Sequence, residues 1–268
     1  MTLLSLLQNA FETSDDGTIK ESCRQLISQF SMRHYPESWR DQVTVVIPCR
    51  NEEKNLPAIL EQARLFCKEM IVIDGQSHDQ SVSVAKGCGA TVIQDQGRGK
   101  GLALRTAIPF LKTPVTVFLD ADGSHHPYDI PALVSPILLK MADHVTGSRN
   151  TGGSDELHGD INKFLRMMGS DLITLGINYR FGVRLTDSQN GFRAILTEVL
   201  KRLDLRSRIT TIEQEMIMET LRLGYRMAEV PTHEYARRSG DSHIVLRRVW
   251  WAYLFTWVRG LLKRRCTA

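Results

Sequence analysis

The chain has 268 residues, 42% of them hydrophobic and 24% charged, with a net charge of +4. Length and composition allow one large buried core and argue against a disordered chain. The charge is uneven: from Ala236 onward there are seven Arg and one Lys against the single acid Asp241, so that segment is +7 and everything before it sums to −3. A basic footprint over the whole surface is thereby excluded and no nucleic-acid partner is expected, whereas a basic tail suits an anionic surface. Five scattered cysteines with no CxxC pair argue against a disulfide framework, a zinc ribbon or an iron–sulfur site, and for a reducing compartment. The start lacks a basic n-region and a cleavage site, and no window of roughly 18 uncharged apolar residues occurs, so neither a signal peptide nor a transmembrane helix is expected.

Residues 1–40 read as a helical extension without chemical motifs, 41–243 as the main domain and 244–268 as a basic amphipathic helix. The first strand is expected at Val43 to Ile47, a β-branched run before Pro48, followed by a helix from about Lys54 to Lys68. A second apolar run, Met70 to Ile73, ends at Asp74-Gly75, and a helix from Ser77 to Lys86 follows with Ser77 as its cap. A third strand (Ala90 to Gln94), a glycine-rich turn, a helix from Gly101 to Leu111 and a fourth strand (Val115 to Leu119) lead into Asp120. Further on, Pro127 to Lys140 reads as a helix, His144 to Thr146 as a strand, and a helix is expected from about Lys163. Gly191 to Leu196 and Arg226 to Val230 are candidate strands, and Glu213 to Leu223 a helix.

Short buried strands alternating with helices of 10 to 15 residues indicate an α/β fold with a mostly parallel sheet. Ligands of such sheets sit beyond the carboxyl ends of the strands, so the polar residues after each strand are the ones to inspect. Asp120-Ala121-Asp122 is the sharpest of these. Two carboxylates flanking a small residue at a strand end make a hard-oxygen site suited to Mg²⁺ or Mn²⁺, or else a polar turn. Asp74 after the second strand can accept hydrogen bonds from a base or ribose, or cap a helix, and Glu52 has the same two readings. Gly97-Arg98-Gly99-Lys100-Gly101 fits neither the P-loop nor the dinucleotide fingerprint. It suits a close backbone approach to a ligand with Lys100 near phosphates, or a flexible turn.

VVIPCRNEEKNL, IVIDGQSHD, GRGKGLALR, FLDADGSHHP, TGSRNTGG, DSQNGFRA, EQEMIMETLRLGYRMAEVP and RRSGDSHI occur in that order between about Gln42 and Ile244. Together they resemble the family-2 glycosyltransferases of the GT-A fold, and within them the dolichol- and polyprenyl-phosphate sugar synthases. The resemblance implies a Rossmann-like sheet flanked by helices. It also implies a pocket lined by Pro48, Arg50, Glu52 and Asp74, and a diphosphate and metal handled by Asp120 and Asp122. Arg149 would face a phosphate, and Asp187, Arg193, Arg237 and Ser242 would close over the site. Arg50 stands where the mannosyltransferases commonly carry Tyr, Gly75 replaces a second Asp, Ser124 replaces a Gln that often helps bind metal, and His243 replaces a Lys.

The resemblance implies a nucleoside-diphosphate sugar donor, carrying guanine or uracil, and a polyprenyl or dolichyl phosphate acceptor. Lys163, Arg166, Arg149 and Arg237 are candidates to hold the acceptor phosphate. A hydroxyl acceptor would instead need a carboxylate base, for which Asp187 and Glu213 are available. A non-catalytic binding module has only the basic tail in its favour. In that tail Arg248, Ala252, Thr256, Arg259 and Lys263 fall on one helical stripe, with Trp250, Leu254, Trp257, Val258 and Leu261 on a broad apolar surface. That pattern fits a helix in the membrane interface, placing the chain peripherally on the inner face of the cytoplasmic membrane, or a helix buried on its own domain or on a dimer partner.

Overall fold

The computed structural model describes residues 38–155, 161–236 and 246–265. The expected extension up to residue 37, and the candidates Arg237 and Ser242, lie outside the described residues.

A 3₁₀ turn, Trp39–Gln42, buries Trp39 against Phe66 and enters β1 (Val43–Cys49). Then follow α1 (Leu56–Ala63), β2 (Glu69–Asp74), α2 (Ser81–Gly87), β3 (Thr91–Gln94), α3 (Lys100–Ala107) and β4 (Val115–Phe118). Beyond them come α4 (Ile130–Leu138), β5 (His144–Ser148), α5 (Arg149–Gly152), α6 (Ile161–Phe181) and β6 (Arg193–Leu196). The last elements are α7 (Thr197–Arg202), α8 (Ile212–Arg222), β7 (Met227–Pro231) and α9 (Leu246–Leu262). The one-turn α5 and the six-residue α7 carry too few residues for a helical period to show in sequence.

The described strands form one sheet of order β3-β2-β1-β4-β6-β5-β7. Every pairing is parallel except those of β6, which runs against β4 and β5. Strand alternation divides the core. Val43, Val45 and Ile47 face one layer with Leu56, Leu60, Ile130 and Leu133, while Val46, Ile71, Ile73 and Phe118 face the other with Leu104, Ile212 and Met216. The chain leaves β1 toward β2 and β3 and then returns to β1's other side with β4. A crevice therefore opens at the carboxyl ends of β1 and β4, the place where a doubly wound sheet binds ligands.

The helix expected from Ser77 begins at Ser81 instead. Ser77 does not cap it: its Oγ accepts from the Asn51 backbone N–H (2.9 Å), and its own N–H donates to Asp74. Gln76, at φ 61, turns the chain back over the exit of β1, so the residues after β2 build a loop before any helix starts.

Candidate active site

The cleft at the β1/β4 switch point holds about 250 Å³. Pro48, Arg50 and Glu52 reach it from the exit of β1, and Asp120, Ala121 and Asp122 from the exit of β4. Lys100, at the start of α3, and Thr210, just before α8, complete its wall. Asp95 after β3 also lines it; the rule of inspecting strand ends could have found this residue, whereas nothing in the sequence marks Thr210.

Three charged residues are joined beside this cleft. The Lys100 ammonium lies 2.6 Å and 2.8 Å from the two Asp120 carboxylate oxygens and 2.8 Å from Glu213 Oε1. Burial opposes its charge, but Asp120 and Glu213 more than offset that and raise its pKa above the usual lysine value. Lys100 is thus a permanent cation in the cleft wall. The glycine-rich turn makes its close approach to another stretch of chain. Gly99 has φ 112, and a Cβ there would lie 2.7 Å from the Arg208 carbonyl oxygen; one on Gly101 would lie 2.6 Å from that of Ser207. Gly191 in the DSQNGF segment abuts the Lys100–Asp120 pair, where a Cβ would meet Lys100 Nζ and come 2.6 Å from Asp120 Oδ2.

Asp122 Oδ1 accepts from the Ser124 N–H (3.0 Å) and the Ser124 hydroxyl (2.6 Å), which orients its carboxylate at the cleft wall. Two hard-oxygen side chains from one strand end suit Mg²⁺ or Mn²⁺ if phosphates and water complete the shell. That condition applies here, because among the described residues no group of three His, Cys, Asp or Glu side chains could hold a metal by itself. Cys49 also lines the cleft, but burial pushes its thiol up to about 12, so it carries no thiolate near neutral pH.

The candidates Asp74, Arg149, Asp187 and Arg193 do not line this cleft. Asp74 is buried and accepts from the Ser77 N–H; this is a turn contact and not the helix cap that the sequence left open beside base binding, since α2 begins only at Ser81. Arg193 is fully buried and donates to the Glu213 and Asn190 carbonyl oxygens; burial pushes its pKa down to about 10. It supports the site from beneath and does not close over it. The Arg149 guanidinium is held by Asp187 (Nε to Oδ2 2.6 Å, Nη2 to Oδ1 3.0 Å) and Glu234 (3.3 Å). Opposite charges at neighbouring strand ends have satisfied one another, joining the loop before β6 to the exit of β7. Lys163 lies in the first turn of α6, and its side chain is outside the described residues.

Burial pushes the Asp187 carboxyl up, but Arg149 and the Gln189 and Arg149 backbone N–H groups more than offset this and hold it below the usual carboxylate range. With a depressed folded pKa, its contribution to stability is complete above the unfolded value of about 4 and is lost as pH falls through the folded value. In Arg149→Met the carboxylate loses its partner. Thermal unfolding should show a stability gap to wild type at pH 7 that narrows towards pH 3; a gap independent of pH would disprove the linkage.

The description Glycosyl transferase family 2 matches residues 44–204. The chain belongs to this family. It is similar to the glycosyltransferase AglJ of Haloferax volcanii, 30% identical over 204 residues that cover 75% of this chain and 66% of AglJ. The dolichyl-phosphate hexose transferase of the same organism is 26% identical over 207 residues, covering 76% of this chain and 87% of that protein. The undecaprenyl-phosphate mannosyltransferase of Micrococcus luteus is 29% identical over 218 residues, covering 75% and 86% respectively. Among solved structures, glucosyl-3-phosphoglycerate synthase from Mycobacterium tuberculosis, in complex with Mn²⁺, uridine diphosphate and glucosyl-3-phosphoglycerate, aligns with a TM-score of 0.67 at 21% identity over 86% of each chain. The glycosyltransferase therefore has the GT-A fold, with the seven-stranded sheet and flanking helices described above.

Proposed function

We propose that this glycosyltransferase moves a hexosyl group from a nucleoside-diphosphate sugar, GDP-mannose or a UDP-sugar, to a polyprenyl or dolichyl phosphate at a membrane surface, with inversion at the anomeric carbon. The observation that carries the donor half is the cleft at the β1/β4 switch point, with Asp120 and Asp122 on one wall and the Lys100 cation among them. The names of the two polyprenyl-phosphate relatives support the acceptor half.

In one displacement, an acceptor phosphate oxygen forms the bond to the anomeric carbon while the bond to the departing diphosphate breaks. A phosphate monoester has a second pKa of about 6, so it attacks without a strong base. The site is consistent with that economy. Asp187 is locked to Arg149 with a depressed pKa, and Glu213 is bound to Lys100, so the two carboxylates available as bases for a hydroxyl acceptor are both engaged as ion-pair partners. The chain's part is to hold the donor. Asp122 is oriented by Ser124, Asp120 is fixed by Lys100, and Arg50 presents a further cation at the cleft mouth. Mg²⁺ or Mn²⁺, when bound beside Asp120 and Asp122, would neutralise charge developing on the leaving diphosphate. Lys163, Arg166 and Arg237 are the proposed cations for the acceptor phosphate. The C-terminal helix would contact the inner face of the cytoplasmic membrane, where a lipid phosphate is presented; among the described residues no helix is long and apolar enough to cross a membrane.

A soluble phosphorylated acceptor is the second reading, favoured by the fold neighbours solved with phosphoglyceric acid. Purified protein incubated with labelled GDP-mannose, UDP-glucose or other donors and undecaprenyl or dolichyl phosphate should yield chloroform-extractable label. Label that stays in the aqueous phase for every donor, while phosphoglyceric acid is glycosylated, would replace the first reading with the second.

A further inference from the structure

The C-terminal helix has its amphipathic character turned outward. Its polar stripe faces the catalytic domain: Arg259 pairs with Glu215, and Lys263 Nζ lies 2.6 Å from Glu219 Oε1 and 3.2 Å from Asp204 Oδ2. Tyr253 donates its hydroxyl to Thr210 Oγ1 (2.7 Å), and Gln214 donates to the Tyr253 carbonyl oxygen (2.9 Å). Small residues let the helices close up. A Cβ on Gly260 would collide with Met218 of α8, and one on Gly176 of α6 with Trp257, whose indole N–H donates to the Ile173 carbonyl oxygen (3.1 Å). With Arg259 and Lys263 bound to α8, α9 leaves Trp251, Leu254, Phe255, Val258 and Leu262 facing outward, Phe255 at 67% and Leu262 at 77% exposure.

Helix α6 has a matching stripe. Met168, Leu172, Leu175 and Tyr179 recur at helical spacing and are exposed, Tyr179 at 93%, while Ile177 and Phe181 on another side are buried with Ile217 and Met218. Contacts between α6 and α9 rise together in both chains of numbers: Ile173 and Gly176 meet Trp257, and Arg180 Nε donates to the Leu261 carbonyl oxygen (2.9 Å). The helices therefore run side by side in one direction. At 100° per residue, both apolar stripes fall on the side of the pair away from α8. The shared C-terminal end is cationic. Arg265 donates to the Arg180 carbonyl oxygen (3.1 Å) and stacks over Phe181, and Arg184 and Arg264 are exposed nearby in sequence. Asp171 is the exposed acid among the described residues of α6, and α9 contains none.

We infer that α6 and α9 together form a two-helix platform that seats the chain on an anionic lipid surface, with α6 supplying half of the apolar contact. Aromatic and aliphatic tips on one plane with arginines at its end match the acyl boundary and the anionic headgroups respectively. The charge complementarity points to the bilayer: the cationic end beside the apolar face matches anionic headgroups, whereas a second copy packed with its helices parallel would bring the identical arginines together. The inference extends the membrane-surface reading given above and rests on it for its purpose, but its geometry is independent of which acceptor is used.

Co-sedimentation of the full chain with phosphatidylcholine vesicles, with and without phosphatidylglycerol, tests it. Wild type should bind the anionic vesicles and leave the neutral ones in solution. The pair Leu172→Ser/Leu175→Ser on α6, and separately Phe255→Ser/Leu262→Ser on α9, should each weaken binding by about tenfold without lowering the melting temperature, since these side chains are exposed. Transfer to a short water-soluble prenyl phosphate without vesicles should be unchanged in both pairs. Unaltered vesicle binding by the α6 pair would overturn the two-helix platform, as would a wild-type dimer in sedimentation equilibrium that the α6 pair dissolves. Retained vesicle binding with no transfer to any prenyl phosphate would instead sink the acceptor proposal and leave the platform standing.

Discussion

Asp122→Asn should lower turnover by at least about 10²-fold, the scale of losing one preorganised electrostatic contact to a leaving group, while leaving the fold intact. Asn keeps an Oδ1 that can still accept from the Ser124 N–H and hydroxyl, so the turn after β4 survives and only the charge is removed. Steady-state rates across a Mn²⁺ titration separate the effects. The variant should need more metal, or lose its response to metal entirely, with an unchanged melting temperature. Wild-type rates and an unchanged metal response in the variant would eliminate the metal proposal.

Lys100→Met should be more damaging to the fold than any exposed-surface change and should also weaken donor binding. Methionine has similar length but leaves Asp120 and Glu213 facing each other without a cation. Breaking a buried ion pair costs about 3–5 kcal/mol; here roughly 2–3 kcal/mol is expected, because the cleft wets one side of the site. The raised folded pKa of Lys100 sets the pH window. Its contribution is complete below the unfolded lysine value of about 10.4 and is lost only as pH rises through the folded value. The stability deficit of Lys100→Met should therefore be constant between pH 6 and about 9. Denaturant unfolding of the two proteins across that range checks it, and a deficit that disappears at pH 9 would mean the ammonium is not paired as described. Gly191→Ala bears on the same pair from the opposite side, since its methyl group would displace Lys100 and Asp120 together.

Much of the site was legible because its first determinants are local. A β-branched run such as Val43 to Ile47 specifies a strand through alternation and side-chain shape, and a parallel sheet brings the residues after each strand to one edge. Pro48, Arg50, Glu52 and the Asp120 to Asp122 segment consequently reach the cleft as expected. Arg149, Asp187 and Arg193 carry motif-like patterns too, yet they hold the loop before β6 to its neighbours. A charged residue in a motif reads the same in sequence whether it meets a ligand or a carboxylate from another strand, and burial decides between them.

The C-terminal helix makes the same distinction sharper. Its composition and 100° periodicity determined, without any structure, that one stripe is polar and the rest apolar. Which stripe meets the protein was a tertiary matter. Glu215 and Glu219 on α8 supply the partners for Arg259 and Lys263, and Gly176 and Gly260 supply the room, so the polar stripe turned inward. The sequence alone determined the α/β alternation, the acidic strand end and the amphipathic tail, because each depends on residues within a few positions of one another. Only the tertiary structure decided that Lys100 bridges Asp120 to Glu213, that Thr210 joins the cleft and that α6 lies beside α9, because those depend on contacts between segments far apart in the chain, whose mutual placement no local pattern encodes.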